Sequence, residues 1–197
     1  MSGLLQPPTL TLPLVEAEAL RTAYGEARVI LEYGSGGSTV LAGQTAGASV
    51  FSVESDAKWL TDMQAFFDAV PPVAKVVLHY GDIGPTREWG QPVDTKAFHK
   101  WPGYALSVWE RPDFVQPDVV LIDGRFRAAC FLTVLFRCQK PVTVLWDDYI
   151  DRQPYHKVEE LVRPTALIGR MAVFDLVPTP FPVDRLGWII ETYLRPA

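Results

Sequence analysis

The stretch RVILEYGSGGSTVLAG, residues 28–43, carries the pattern that decides the fold. Apolar residues run into Glu32, and glycines follow at positions 34, 36 and 37. Ser38 then precedes apolar residues whose spacing suits the start of a helix. Glycine lets the chain turn sharply and lets a ligand lie against bare backbone, and the free N–H groups of a helix start favour an anionic group. We therefore predict a strand, a ligand-binding turn and a helix.

Strand and helix patterns alternate over most of the chain. Near-continuous apolar runs predict five strands, at residues 28–33, 49–55, 74–80, 117–124 and 141–148. Helical spacing predicts helices at residues 14–27, 38–46, 56–70, 125–139 and 155–162. Buried strands that alternate with helices indicate an α/β fold whose parallel sheet is covered on both faces. Two further strands, predicted at 171–177 and 186–194, are joined by a proline-rich loop and should pair antiparallel.

Residues 83–113 interrupt this alternation, because a simple crossover helix is expected there. The segment is rich in Trp, Pro and Gly, and its aromatic cluster consists of Trp89, Phe98, Trp101, Tyr104 and Trp109. These side chains suit either a lid over a substrate or a satellite core under a long loop. We treat residues 1–197 as a single domain, with an N-terminal arm and helix over residues 1–27 and an aromatic-rich insert over residues 83–113.

Composition narrows the classes of function. The chain has 197 residues, of which 48% are hydrophobic and 21% charged, enough for one domain with a sizeable core. The net charge of −5 argues against a nucleic-acid partner, which requires a basic face. We see no signal peptide and no apolar run of membrane-spanning length. We therefore expect a cytoplasmic protein that acts on a small molecule, does not bind membranes and is free to form a homo-oligomer.

Acidic residues end the second and third predicted strands. Glu54 follows Gly34 by twenty positions, and a carboxylate there can accept hydrogen bonds from both hydroxyl groups of a ribose. Asp82 follows Gly81 at the end of the third strand, where an acid can meet a purine amino group. The carboxyl ends of parallel strands meet at one edge of a sheet, so we expect both acids near the glycine-rich turn.

The order of Glu32, the glycines, Glu54 and Asp82 resembles the class I (Rossmann-like) S-adenosylmethionine-dependent methyltransferases from about residue 28 onward. The resemblance implies a doubly wound, mostly parallel seven-stranded sheet of order 3214576, with an antiparallel C-terminal β-hairpin and helices on both faces. It implies S-adenosylmethionine as cofactor, with the glycine-rich loop on its methionine part, the strand-two acid on the ribose and the strand-three acid by the adenine. Carried over, the cofactor residues are Glu32, Gly34, Ser35, Gly36, Gly37, Glu54, Ser55 and Asp82. Ser38 stands in place of the family's third glycine.

A dinucleotide site is the competing interpretation of the same turn. A Rossmann oxidoreductase that binds NAD would carry glycine at position 39, where this chain has Thr39, and an apolar residue in place of Glu32. These two departures favour S-adenosylmethionine over a nicotinamide cofactor.

The acceptor side is indicated by LIDGRF at the end of the fourth strand and LWDDYID at the end of the fifth. These stretches resemble metal-dependent O-methyltransferases of the macrocin and novobiocin-sugar type, in which aspartates hold a magnesium ion that binds the acceptor hydroxyl. Carried over, Asp123, Asp147 and Asp148 would bind Mg²⁺, although Arg125 stands where that family has a second acid. The alternative is that Asp147 and Asp148 cap a helix or pair with the arginines at 125, 127 and 152.

The predicted reaction is methyl transfer from S-adenosylmethionine to a small-molecule hydroxyl group. Asp123 and His156 are the candidate catalytic residues, and His99 is a second histidine that could reach the acceptor as a general base. The alternative is a catalytically silent module that binds the cofactor and regulates or interacts, because the cofactor motifs are sharper than any catalytic motif.

Overall fold

The structure is a computed structural model that describes residues 6–196. The first five residues of the predicted N-terminal arm therefore lie outside the described residues. The strands of the main sheet are β1 Val29–Tyr33, β2 Ser49–Glu54, β3 Lys75–Tyr80, β4 Val119–Ile122, β5 Val142–Trp146, β6 Ala166–Ile168 and β7 Met171–Leu176. The helices are α1 Leu14–Glu26, α2 Gly37–Ala42, α3 Ala57–Ala69, α4 Pro102–Leu106, α5 Arg127–Arg137 and α6 Leu186–Thr192.

The seven strands form one mixed sheet in the order β3-β2-β1-β4-β5-β7-β6. Strands β1 to β5 pair in parallel, whereas β7 is antiparallel to both β5 and β6. The predicted α/β fold, the strand order and the closing antiparallel hairpin are thus confirmed. The order reverses between β1 and β4, and ligands of such open sheets bind at that point, beyond the carboxyl ends of the strands.

The prediction of a strand over residues 186–194 is wrong. Residues Leu186–Thr192 form α6, and the second strand of the hairpin is instead β6, which turns into β7 at Gly169 and Arg170. A short apolar run does not distinguish a buried strand from a helix by periodicity alone. The three residues of β6 lie at the sheet edge and are largely exposed, so they lack the apolar signal that marks the central strands.

Both faces of the sheet are buried, as the continuous apolar strands predict. Ile30 of β1 packs with Leu20 and Tyr24 of α1 on one face. Its neighbour Leu31 points to the other face, into the larger core that includes Phe131 of α5. None of the helices within residues 6–196 is long and apolar enough to cross a membrane.

The aromatic insert is folded against the sheet rather than extended from it. It contains a short hairpin, Thr86–Arg87 with Gln91–Pro92, and continues into α4. Trp101 and Trp109 are buried in the main core, and the Trp109 indole N–H donates to the Tyr33 hydroxyl (2.8 Å). Trp89 is about 80% exposed. The two interpretations of the insert therefore divide between its residues: Trp101 and Trp109 are core, and Trp89 is available to a ligand.

Candidate functional site

A cavity of about 810 Å³ lies beyond the carboxyl ends of the parallel strands. Its volume is in the range of small-molecule sites. One side, which we call the loop half, is lined by the glycine-rich loop, the end of β2, Trp59 and the insert hairpin. The other side, the arginine half, is lined by Tyr104, Asp123, Gly124, Asp148 and four arginines, namely Arg125, Arg127, Arg152 and Arg170. Residues Thr9, Leu10 and Thr11 of the N-terminal arm also contribute to the wall.

The three glycines of the loop have different surroundings. Gly34 has a φ of +104°, which favours glycine, and a β-carbon there would lie 2.8 Å from the Cα atom of Gly124. A β-carbon on Gly37 would collide with the backbone of the arm at Leu10. A β-carbon on Gly36 would meet no atom of the described residues within 4 Å. The chain's own backbone thus explains two of the glycines, and Gly36 borders open space.

Glu32 is fully buried and does not line the cavity. Its carboxylate accepts hydrogen bonds from the Tyr24 hydroxyl (2.7 Å) and the Ser52 hydroxyl (3.0 Å). The Ser52 hydroxyl lies 2.7 Å from that of Ser35 and 3.1 Å from that of Thr39, and both belong to the glycine-rich segment. Burial raises the pKa of Glu32, and the hydroxyl donors oppose that shift. Glu32 is therefore placed to position the glycine-rich loop, through Ser52, from behind the cavity wall.

Glu54 lines the loop half, at the end of β2. Backbone N–H groups donate to its carboxylate from Ser35 (3.2 Å), Ser55 (2.6 Å) and Asp56 (2.8 Å). Burial raises the pKa of Glu54, while these N–H groups lower it. A carboxylate has about four acceptor positions, so it keeps capacity for a hydroxyl donor in the cavity.

Side chains around Glu54 close the loop half. The Ser55 hydroxyl donates to the carbonyl oxygen of Gly90 (3.0 Å), which ties the insert hairpin to the end of β2. The Trp59 indole N–H donates to the carbonyl oxygen of Ser35 (2.8 Å). Trp89, beside Gly90, has a left-handed φ of +62°. Ser35 and Ser55, predicted to bind the cofactor, therefore do lie on the cavity wall.

Besides the fully buried Glu32 and Asp147, two more of the predicted site residues do not line the cavity. Asp82 follows β3, the edge strand, and its exposed carboxylate pairs with Lys100 of the insert (2.7 Å), which lowers its pKa. His156 lies in the 3₁₀ segment Gln153–Glu160, where its ring stacks on Tyr149 and Nε2 is 3.1 Å from the Tyr149 carbonyl oxygen. The structure thus brings neither residue to the cavity, because each is engaged by a neighbour away from the switch point.

The predicted aspartate cluster does assemble. Asp123, Asp147 and Asp148 each offer a carboxylate oxygen within 4.8 Å of the others. Strand β5 ends at Trp146, and Asp148 has a left-handed φ of +55°. Consecutive residues of a strand would point to opposite faces, so this turn of the backbone allows Asp147 and Asp148 to face one cluster.

Arginine side chains occupy this cluster. Arg127 pairs with Asp123 (3.1 Å) and Asp148 (3.3 Å), and Arg170 pairs with Asp147 (2.6 Å) and Asp148 (3.1 Å). A further guanidinium, from Arg152, lies 3.0 Å from Asp148. The predicted pairing with arginines is therefore present in part: Arg127 and Arg152 pair with Asp148, whereas Asp147 pairs with Arg170, and no ion pair joins Arg125 to either aspartate within residues 6–196. Magnesium prefers carboxylate oxygens together with water, and as arranged these oxygens are engaged by guanidinium groups, so the donor set does not fit that ion without rearrangement.

Arg170 is the site residue that the sequence reasoning missed. It lies in the turn between β6 and β7, and both its Nε and Nη2 donate to the buried Asp147 carboxylate (3.0 and 2.6 Å). The sequence pattern predicts the hairpin turn within residues 178–185, so it does not indicate a site residue in the turn before β7. The Gly169–Arg170 pair just before the apolar run of β7 is the signal that could have revealed it.

Asp123 borders the cavity, and its carboxyl group has a raised pKa. Burial raises the pKa of Asp123 to about 6, and the charges of Asp147 and Asp148 add to that rise while Arg127 opposes it. A carboxylate that titrates close to neutrality and faces a cavity can take a proton from a bound molecule.

The chain is similar to several solved structures. A methyltransferase-like protein from Silicibacter pomeroyi is 48% identical, with a TM-score of 0.92 over 96% of this chain and 99% of that one. The O-methyltransferase of Bacillus cereus in complex with SAH is 16% identical (TM-score 0.59; 86% and 84% covered). The O-methyltransferase TomG from Streptomyces achromogenes, which is involved in tomaymycin synthesis and was solved with SAM, is 15% identical (TM-score 0.56; 84% and 82% covered). The latter two show the fold alone. No protein-family model matches the chain, and no curated protein matches it significantly.

Proposed function

The chain belongs to the class I, Rossmann-like S-adenosylmethionine-dependent methyltransferase family, and from this premise we propose that it transfers a methyl group to a small-molecule hydroxyl. The observation that carries the proposal is the carboxylate of Glu54, which opens onto the same cavity as the glycine-rich loop. The cytoplasmic location, the small-molecule acceptor and homo-oligomer formation belong to this proposal as well.

The loop half fits the cofactor. Glu54 offers acceptor capacity to ribose hydroxyl groups, and Gly36 leaves open space at the loop surface where a side chain would intrude. Ser35 and Ser55 contribute backbone and hydroxyl groups to the same wall. When bound, S-adenosylmethionine supplies a methyl group on a sulfonium sulfur.

The arginine half would bind the acceptor and accept the proton of its hydroxyl group. In the transfer, a C–O bond forms as the C–S bond breaks, and the acceptor hydroxyl loses a proton. Asp123 is the candidate proton acceptor, because it borders the cavity and its ion pair with Arg127 fixes the carboxylate. The chain's main contribution is to align the two reactants and exclude water. A magnesium ion at Asp123, Asp147 and Asp148 stays a hypothesis.

A silent cofactor-binding module and an NAD-dependent oxidoreductase are the alternatives. Calorimetric titration of the purified protein should detect binding of S-adenosylhomocysteine and no binding of NADH. Labelled S-adenosylmethionine, incubated with the protein and small phenols, sugars and hydroxy acids, should yield a labelled product. Binding of the methyl donor without transfer to any acceptor would favour the silent module, and binding of NADH alone would overturn the assignment.

A further inference from the structure

Arg125 differs in its charge balance from the other arginines of the cavity wall. Arg127, Arg152 and Arg170 each pair with an aspartate at 3.3 Å or less. Within residues 6–196, no acidic side chain forms an ion pair with Arg125. The arginine half thus contains a cation whose counter-charge is not supplied by the part of the chain that the structure describes.

The guanidinium of Arg125 also has an unused donor. Its Nε atom is buried and has no hydrogen-bond partner among the described residues. Arginine keeps its proton at any physiological pH, and a buried donor without an acceptor is costly. An anion placed there would supply both an acceptor and a counter-charge.

The loop that carries Arg125 is held in place before any ligand arrives. Its backbone N–H donates to the Tyr104 hydroxyl (3.3 Å). The next residue, Phe126, has a left-handed φ of +52° and is buried, with its ring 5.6 Å from that of Trp101 and 5.7 Å from that of Tyr104. A preorganised cation binds its partner with little further loss of conformational freedom.

The same loop borders the glycine-rich loop. Gly124, directly before Arg125, approaches Gly34 so closely that a β-carbon on either residue would overlap the other's backbone. A group bound by Arg125 therefore lies in the arginine half, next to the loop that ends β1.

We propose that the methyl acceptor carries a carboxylate or phosphate group, and that Arg125 binds this group in the arginine half of the cavity. The proposal rests on the proposed function, since it names the chemical class of the acceptor. Guanidinium groups match the geometry of carboxylates and phosphates, which they bind through paired N–H donors. Asp123 would then face the hydroxyl of the same molecule.

Matched pairs of probes test this charge preference. The protein loaded with S-adenosylhomocysteine is titrated by calorimetry with para-hydroxybenzoate against para-hydroxybenzamide, and with phenyl phosphate against phenol, in a buffer free of phosphate. The first pair reports on a carboxylate and the second on a phosphate. The same titrations are run on Arg125→Gln, on Arg125→Lys, which keeps the charge, and on Arg185→Gln, a surface arginine paired with Glu160.

We expect at least one anion to bind about tenfold or more tightly than its neutral partner. Arg125→Gln should lose this preference, Arg125→Lys should keep part of it, and Arg185→Gln should keep all of it, with melting temperatures confirming that each variant is folded. The proposal fails if neither pair shows a preference or if the preference survives in Arg125→Gln. It also fails if Arg125→Gln lowers the affinity for S-adenosylhomocysteine by the same factor as the affinity for the anionic probe, since the anion that Arg125 binds is then the cofactor's own carboxylate. If the wild-type protein does not bind S-adenosylhomocysteine, the proposed function fails, and the titrations on the unloaded protein decide the role of Arg125 separately.

Discussion

A β-carbon on Gly34 would lie 2.8 Å from the Cα atom of Gly124, so the loops that follow β1 and β4 meet backbone to backbone. A methyl group added by Gly124→Ala would push these loops apart and would also collide with the Tyr104 hydroxyl. Overpacking of this kind costs about 1–3 kcal/mol. We expect a lower melting temperature and weaker S-adenosylhomocysteine binding. Gly103→Ala, where a β-carbon meets no described atom within 4 Å, is the control, and equal stability of the two variants would contradict the prediction.

Neighbouring glycines of the loop should respond in opposite ways. Gly37→Ala should lower the free energy of unfolding by about 1–3 kcal/mol, because the added carbon collides with the arm at Leu10. Gly36→Val should leave stability nearly unchanged but lower the affinity for S-adenosylhomocysteine, because the valine side chain would occupy space at the cavity wall. Denaturant titration and calorimetry on both variants separate the two effects. A stability loss in Gly36→Val as large as that in Gly37→Ala would contradict the open space at Gly36, and full stability of Gly37→Ala would show that the arm contact is unimportant.

Removing the charge of Glu54 should weaken cofactor binding. Glu54→Gln keeps an amide oxygen for the N–H groups of Ser55 and Asp56 but loses the charge-assisted acceptor. We expect S-adenosylhomocysteine affinity to fall by about 1–3 kcal/mol, measured by calorimetry. Glu88→Gln, an exposed change in the insert hairpin, is the matched control. Unchanged affinity in Glu54→Gln would remove Glu54 from the cofactor site.

The buried Glu32 predicts a pH dependence of stability. Its folded-state pKa is raised above the ordinary value of 4.5, so its contribution to stability is fully present below pH 4.5 and is lost as the pH rises through the raised value. Glu32→Gln removes this titration, while the hydroxyl groups of Tyr24 and Ser52 can reorient toward the amide. The free energy of unfolding of the wild-type protein, minus that of Glu32→Gln, should therefore fall as the pH rises above 4.5.

Denaturant titrations of both chains across this range measure that difference, in which the titrations of all other groups largely cancel. Glu18→Gln, an exposed change on α1, should show no such trend. A difference that rises with pH would mean that the fold favours the charged form of Glu32.

Chelation distinguishes the two interpretations of the aspartate cluster. Because Arg127 and Arg170 already engage the three carboxylates, we expect methyl transfer to proceed fully in EDTA once an acceptor is known. Activity that is lost in EDTA and restored by added magnesium would instead support the metal hypothesis and require the guanidinium groups to move. Calorimetric titration with magnesium alone provides a readout that does not depend on the acceptor.

The sheet could be predicted because its central strands are buried on both faces and are therefore near-continuous apolar runs, such as that from Val119 to Ile122, which alternate with helical patterns. The ends of those strands could be predicted for the same reason. Because the strands are parallel, Glu54 and the three aspartates that follow them lie at one edge of the sheet. The closing hairpin has the expected antiparallel topology and one of the two expected strands, residues 171–177, while its other strand is not the expected one. Its edge strand, Ala166–Ile168, is too short and exposed to carry a pattern.

The roles of individual side chains were harder to predict, because they depend on packing partners that are distant in sequence. Glu32 has the position of a ligand-binding acid, yet the hydroxyl of Tyr24 covers it from α1. Gly37 has the position of a phosphate-binding glycine, yet the arm at Leu10 takes that space. Asp82 ends its strand as expected, but Lys100 arrives from an insert whose path no pattern predicts.

The burial of the Arg127 side chain affects how the cavity responds to ionic strength. Its side chain is about 5% exposed, and it joins Asp123 to Asp148 across the ends of two strands. Dissolved salt screens exposed charges over roughly 3 Å at 1 M, but it screens partly buried pairs much less. The surface pair Lys58–Asp62 should therefore weaken at high salt, while the ion pairs of Arg127 with Asp123 and Asp148 should persist. The arginine half of the cavity is in this respect better shielded from electrolyte than the surface of the protein.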